Sequence, residues 1–153
     1  VSSTRIREAL ARGELDLARH LLGRPYRICG RVAHGDKRGR TIGFPTANIN
    51  LHRRVSPLRG VYAVMVDGLA GESLPGVANI GVRPTVGGEL RYLLEVHLFD
   101  FSGDIYGRHA DVEFRLKLRD EQKFDSFDAL KLQIQRDSLA ARAYLGLSVS
   151  PSA

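Results

Sequence analysis

Leu93-Leu94-Glu95-Val96-His97-Leu98-Phe99 is the stretch on which the fold turns. Read as a strand, it sends Leu94, Val96 and Leu98 to one face, and Leu93, Glu95, His97 and Phe99 to the other. Runs of the same texture occupy Tyr26–Val32, Val61–Val66, Leu74–Ile80 and Asp111–Lys117, parted by Gly, Pro, Asp or Asn. Thirteen of the 16 glycines fall between Gly30 and Gly107, which suits a chain of many turns and not a helix bundle. No helical segment separates these runs, so a βαβ layout is excluded and an antiparallel barrel or sandwich is expected.

Both flanks read as helix. Ile6, Ala9 and Leu10 lie on one face behind a potential cap at Ser3, and Leu15, Ala18, Leu21 and Leu22 form a second pattern closed by Gly23. Arg24-Pro25 then forces the chain out of helical geometry. At the other end Ser126 is a good N-cap, and Phe127, Leu130, Ile134, Ala141 and Leu145 recur at helical spacing until Gly146. Residues 148–153 are expected to be a flexible tail.

Composition narrows the classes. The chain has 153 residues, 43% hydrophobic and 26% charged, enough for a core. No apolar run approaches the roughly 20 residues of a membrane span, and residues 1–5 lack the apolar stretch of a secretory signal. Cys29 is the only cysteine, which excludes an intrachain disulfide or a cysteine zinc cluster; in a strand it reads as an inert core residue. A cytoplasmic setting is expected. The net charge of +6 is uneven: residues 1–60 carry 13 Lys and Arg against 4 Asp and Glu, and residues 61–153 carry 10 against 13. A basic half suits an anionic partner, whether a nucleotide phosphate, a nucleic acid or an acidic surface.

The chemistry concentrates in Gly35-Asp36-Lys37-Arg38-Gly39-Arg40-Thr41-Ile42-Gly43-Phe44-Pro45-Thr46-Ala47-Asn48. Glycines let backbone N–H groups approach an anion, and Lys37, Arg38 and Arg40 add charge, although neither a Walker loop nor a Rossmann fingerprint is present. If the segment is extended, Thr46 and Asn48 share a face, and their neutral oxygens suit Mg²⁺ whose charge is met by nucleotide phosphates. A basic hairpin with a polar strand end accounts for the same residues. Glu95 alone reads equally as a solvent-facing glutamate, and His97 as a packed or surface histidine.

Gly35–Asn48 resembles the nucleotide-binding loop of the riboflavin kinase family, whose hallmark is Pro-Thr-Ala-Asn, here Pro45–Asn48. Four more stretches are similar to that family in the same order: Gly60–Ala63, Gly76–Thr85, Leu94–Phe101 and Leu118–Ser126. The resemblance covers roughly residues 20–146. It implies a mainly β fold, a six-stranded antiparallel Greek-key barrel with a C-terminal α-helix and a short N-terminal helical segment. It further implies transfer of the ATP γ-phosphoryl to the riboflavin 5′-hydroxyl with Mg²⁺, giving FMN and ADP. In that frame Glu95 is the catalytic base, Thr46 and Asn48 are metal and phosphate ligands, and Gly35, Lys37 and Gly43 form the phosphate cradle. Arg119 and Glu121 match an Arg-x-Glu flap that contacts flavin, whereas Asn79 and Arg83 lie in a family motif without an assigned role.

Residues 2–10 resemble the closing motif of a nucleotidyltransferase domain, which precedes the kinase in bacterial bifunctional riboflavin kinase/FAD synthetases. The expected division is therefore 1–23 as a helical remnant of an FMN adenylyltransferase domain, 24–147 as the kinase domain, and 148–153 as tail. Neither nucleic acid nor a membrane is an expected partner. Two rivals are a nucleic-acid-binding barrel, disfavoured by the lack of an aromatic platform, and a flavin-binding module without turnover.

Overall fold

The strand pattern closes on itself. In a computed structural model describing residues 3–33, 46–51, 56–84, 86–99 and 105–146, six strands form a closed barrel. They are β1 (Arg27–Ala33), β2 (Thr46–Asn50), β3 (Gly60–Asp67), β4 (Leu74–Pro84), β5 (Leu90–Leu98) and β6 (His109–Arg119). Their order around the barrel is β1-β2-β5-β4-β3-β6, and every pairing is antiparallel. Strands β3, β4 and β5 form a meander with β2 returned beside β5, which is the Greek-key connection. Closure removes the exposed edges that an open sheet of this length would present.

Alternation decides which side chains fill the barrel. Ile28 and Val32 of β1, Ala47 and Ile49 of β2, Tyr62, Val64 and Val66 of β3, Ala78 and Ile80 of β4, Leu94, Val96 and Leu98 of β5, and Val112 and Phe114 of β6 form one buried cluster. Gly30 also faces inward, and the Ile49 side chain fills the space a Cβ would take there. Phe114 stacks edge-on against Tyr62 at 5.3 Å between ring centroids. The Tyr62 hydroxyl donates to the Arg59 carbonyl at 2.8 Å, and burial pushes its pKa up to about 12. Cys29 sits between two inward residues of β1 and is exposed, so its expected place in the core is corrected by the pleat.

Two helices, α1 (Ser3–Ala11) and α2 (Leu15–Leu22), precede the barrel. Ser3 lies inside α1 and does not cap it. Gly23 ends α2 in the left-handed conformation, φ 76°, its N–H donating to the Arg19 carbonyl. Ala9, Leu10, Leu15 and Ala18 belong to the same apolar cluster as the barrel interior, so the helix pair packs as part of one core.

The third helix, α3 (Phe127–Tyr144), is capped by Ser126, whose hydroxyl accepts from the Ala129 N–H at 3.1 Å. It lies on the outer face of β3, β4 and β6. Ala141 packs there with Val61, Ala63, Val77 and Phe99 in a second cluster edged by Leu116, Leu118 and Leu145. This explains why Val61–Val64 is apolar without alternation: β3 is buried on both sides. Phe127, expected on the packed stripe, is exposed at the start of the helix.

Candidate active site

On β5 the inward positions Leu94, Val96 and Leu98 leave Glu95 and His97 on the outer face. Register supplies their neighbours. Glu95 stands directly between Asn48 of β2 and Asn79 of β4, and His97 between Thr46 and Val77. Asn79 is opposite Val61, and Val61 is opposite Arg119. One row across five strands is therefore Asn48, Glu95, Asn79, Val61 and Arg119. Opposed residues in such pairs hold their Cβ atoms about 4.5–5.5 Å apart, within reach of a shared small ligand.

Thr46 and Asn48 are the first and third residues of β2 and share that outer face, while Ala47 and Ile49 fill the barrel. Thr46 Oγ1 lies 3.2 Å from His97 Nδ1. His97 is only 9% exposed, and burial holds its pKa down at about 4, against a smaller opposing pull from Asp137. The ring is thus neutral near pH 7. In its Nε2–H tautomer, Nδ1 accepts the Thr46 proton and leaves the threonine oxygen lone pairs for a cation. His97 is a packed histidine in contact with Thr46.

Among the described residues no group of three His, Cys, Asp or Glu side chains could hold a metal ion. A cation at Thr46 and Asn48 would accordingly rest on neutral oxygens and on the anionic oxygens of a substrate. That donor set fits a hard ion such as Mg²⁺, which keeps several waters and takes phosphate ligands. Gly35, Lys37 and Gly43 lie outside the described residues, in the segment that leads into β2.

Arg119 does not pair with Glu121. Its Nε donates to both oxygens of Asp137 at 2.9 and 3.1 Å, and Nη2 donates to Oδ2 at 2.8 Å. Nη1 reaches the Asp120 carbonyl at 3.0 Å, and the guanidinium lies over the Phe124 ring. Gln133 donates to the same carboxylate at 3.0 Å. Asp137, 5% exposed on α3, thereby ties the helix to the end of the outer row. Sequence reading passed over Asp137, although the helical stripe Ile134–Ala141 is broken there by a polar residue at a buried position. Glu121 arches over β4: a Cβ on Gly81 would collide with its carboxylate. Gly81 and Asn79 share a face of β4, so both acids, Glu95 and Glu121, belong to this side of the barrel. Of Arg83 the structure describes only the backbone, opposite Arg91.

Comparison with known proteins bears on what this face does. Residues 22–145 match the family model described as flavokinase, riboflavin kinase. The bifunctional riboflavin kinase/FMN adenylyltransferase of Haemophilus influenzae is 62% identical over 144 residues, covering 94% of this chain and 46% of the relative. The chain thus spans about half the length of such relatives. A crystal structure described as a macrolide-efflux protein from Streptococcus pneumoniae is 43% identical, with a TM-score of 0.80 over 93% of this chain and 46% of that one. Among the described residues of this chain no helix is long and apolar enough to cross a membrane. Riboflavin kinase from Trypanosoma brucei is 28% identical, with a TM-score of 0.55 over 83% of this chain and 82% of that one. The family model covers all six strands and α3, and the reading of the basic half as a nucleic-acid surface has no support beside it. With barrel, helix and family model in register over the same residues, the chain belongs to the flavokinase, or riboflavin kinase, family.

Proposed function

We propose that the outer face of β2, β5 and β4 transfers the γ-phosphoryl group of ATP to the 5′-hydroxyl of riboflavin, giving FMN and ADP. One observation carries the reading: the register sets Glu95 directly opposite Asn48, two residues from Thr46 on the same face. A carboxylate able to take a proton then adjoins two oxygen donors able to hold a phosphate-bound cation.

A primary alcohol is a poor nucleophile until its proton has somewhere to go. Glu95 orients the 5′-hydroxyl and accepts that proton as the oxygen–phosphorus bond forms. Thr46 and Asn48 would hold Mg²⁺, which when bound offsets charge on the ATP phosphates. Lys37, with the backbone at Gly35 and Gly43, cradles those phosphates, and Glu121 closes over the flavin side. Arg119 serves this face from its Asp137 anchor, presenting the Glu121 segment rather than a free guanidinium. In the full-length protein an FMN adenylyltransferase half precedes this module, as the names of the bifunctional relatives suggest, and residues 1–23 are its helical junction.

The test is chromatographic detection of FMN from riboflavin and MgATP, with Glu95→Gln as the variant. Substrate affinities should hold while the turnover number falls about 10²–10⁴-fold, the usual contribution of a general base. Turnover within about threefold of the unsubstituted chain, with chemistry rate-limiting, would place the base elsewhere. Flavin binding without any FMN from the unsubstituted chain would favour a non-catalytic module.

A further inference from the structure

Asn79 belongs to a motif that the phosphoryl-transfer chemistry does not use. It lies in the middle of β4, directly opposite Glu95 on one side and Val61 on the other. Its Oδ1 is inaccessible to solvent and has no hydrogen-bond partner among the described residues. Buried amide oxygens are almost always satisfied, so an orphan acceptor in a mid-strand position calls for a donor supplied from outside the chain.

The neighbours restrict what that donor is. Arg119, further along the row, spends Nε, Nη1 and Nη2 on Asp137 and the Asp120 carbonyl. The next outward position on β4 is Gly81, covered by the Glu121 carboxylate, which is an acceptor and not a donor. On the other side Val61 offers only methyl groups. A ligand lying along the Glu95–Asn79 pair is thus met by two acceptors side by side, and a chain of neighbouring hydroxyls satisfies both.

We infer that Asn79 is a substrate-binding residue whose Oδ1 accepts a hydrogen bond from the side-chain hydroxyl adjacent to the one that Glu95 deprotonates. The assignment rests on the kinase reading of the site and adds a specificity element to it: the acceptor must be a polyol, not a simple terminal alcohol. Glu95 takes the reacting hydroxyl, Asn79 fixes its neighbour, and the rotation of the terminal carbon is set before phosphoryl transfer. A substrate lacking that second hydroxyl leaves Oδ1 unsatisfied in the closed complex, which is where discrimination arises.

The experiment is a substrate–variant cycle on the 153-residue chain, with riboflavin and 4′-deoxyriboflavin tested against the unsubstituted chain and Asn79→Ala. In the unsubstituted chain, loss of the 4′-hydroxyl should lower kcat/KM by about tenfold or more. In Asn79→Ala the two flavins should differ by less than about twofold. Asn79→Ser, which restores an acceptor oxygen, should recover part of the discrimination. Flavin fluorescence titration of the same four pairs gives the cycle without turnover, so failure of the kinase reading and failure of this one are separable. Thermal unfolding confirms that each variant is folded. An equal penalty for the missing hydroxyl in both proteins, or none in the unsubstituted chain, would overturn the assignment.

Discussion

His97 shows how one side chain can couple a site to the stability of its scaffold. It is pressed between Thr46 of β2 and Val77 of β4, with Glu95 two positions along its own strand and Asp137 facing it from α3. Burial outweighs the attraction of Asp137 and brings its pKa from 6.5 to about 4. Above pH 6.5 the ring is neutral whether the chain is folded or not, and the full stability is present. As the pH falls from 6.5 towards 4, only the unfolded chain takes up the proton, so stability is lost across that window. The span corresponds to about 3 kcal/mol. Unfolding midpoints measured from pH 8 to pH 4 should fall more steeply for the unsubstituted chain than for His97→Gln; parallel curves would show that another group governs the window. Gly81 is the second residue-scale case. Gly81→Ala would drive a methyl group into the Glu121 carboxylate and push that segment off the face. The expected result is a raised KM for riboflavin, at least severalfold, with KM for ATP little changed; unaltered flavin KM would separate Glu121 from flavin binding.

Among the elements, those with a single buried face were legible from alternation or periodicity alone. Leu93–Phe99 declared β5 because Leu94, Val96 and Leu98 alternate with polar or outward residues, and Ser126 marked the start of α3. Strand β2 was not legible that way: Thr46–Asn50 is short and follows a glycine-rich loop, and it was read only conditionally, as a segment that sets Thr46 and Asn48 on one face if extended. The face that α3 covers was hidden for a different reason. Its buried stripe includes Asp137 and Ser138, polar residues whose burial makes sense only with Arg119 and the Ile134 carbonyl as partners, and half-buried Gln133 donates to the same Asp137 carboxylate. The Arg119–Asp137 pairing, between a strand and the helix 18 residues on, has no local signature. Removing Asp137 should therefore be costly, because it leaves a largely buried guanidinium without its counter-charge. Asp137→Ala should lose about 3 kcal/mol in urea unfolding, and Ser126→Ala, which removes one cap bond, about 1 kcal/mol. If the two variants lose equal amounts, the ion pair is not the anchor of α3.

For the molecule as a whole, the barrel arranges motifs that are far apart in sequence into one transverse row. Asn48, Asn79, Glu95 and Arg119 come from four strands, and no spacing rule along the chain places them together; closure in the order β1-β2-β5-β4-β3-β6 does. The row sets the Glu95 carboxylate beside Asn48, with Thr46 two residues away on the same face, and the proposed phosphoryl transfer to an alcohol rests on that arrangement. Adenylyl transfer to FMN needs a second nucleotide site with the opposite leaving group, pyrophosphate, aligned against the incoming phosphate. Ala9, Leu10, Leu15 and Ala18 of α1 and α2 share one apolar cluster with the barrel interior, and residues 22–145 match the kinase family model. The 153-residue chain should therefore convert riboflavin to FMN and stop there. Incubated with MgATP and either riboflavin or FMN, then resolved by chromatography, it should accumulate FMN in the first case and leave FMN unchanged in the second. FAD in either reaction, from protein shown to be free of other synthetases, would mean that a site for adenylyl transfer is built from these same residues, and the assignment of residues 1–23 as a junction would fall with it.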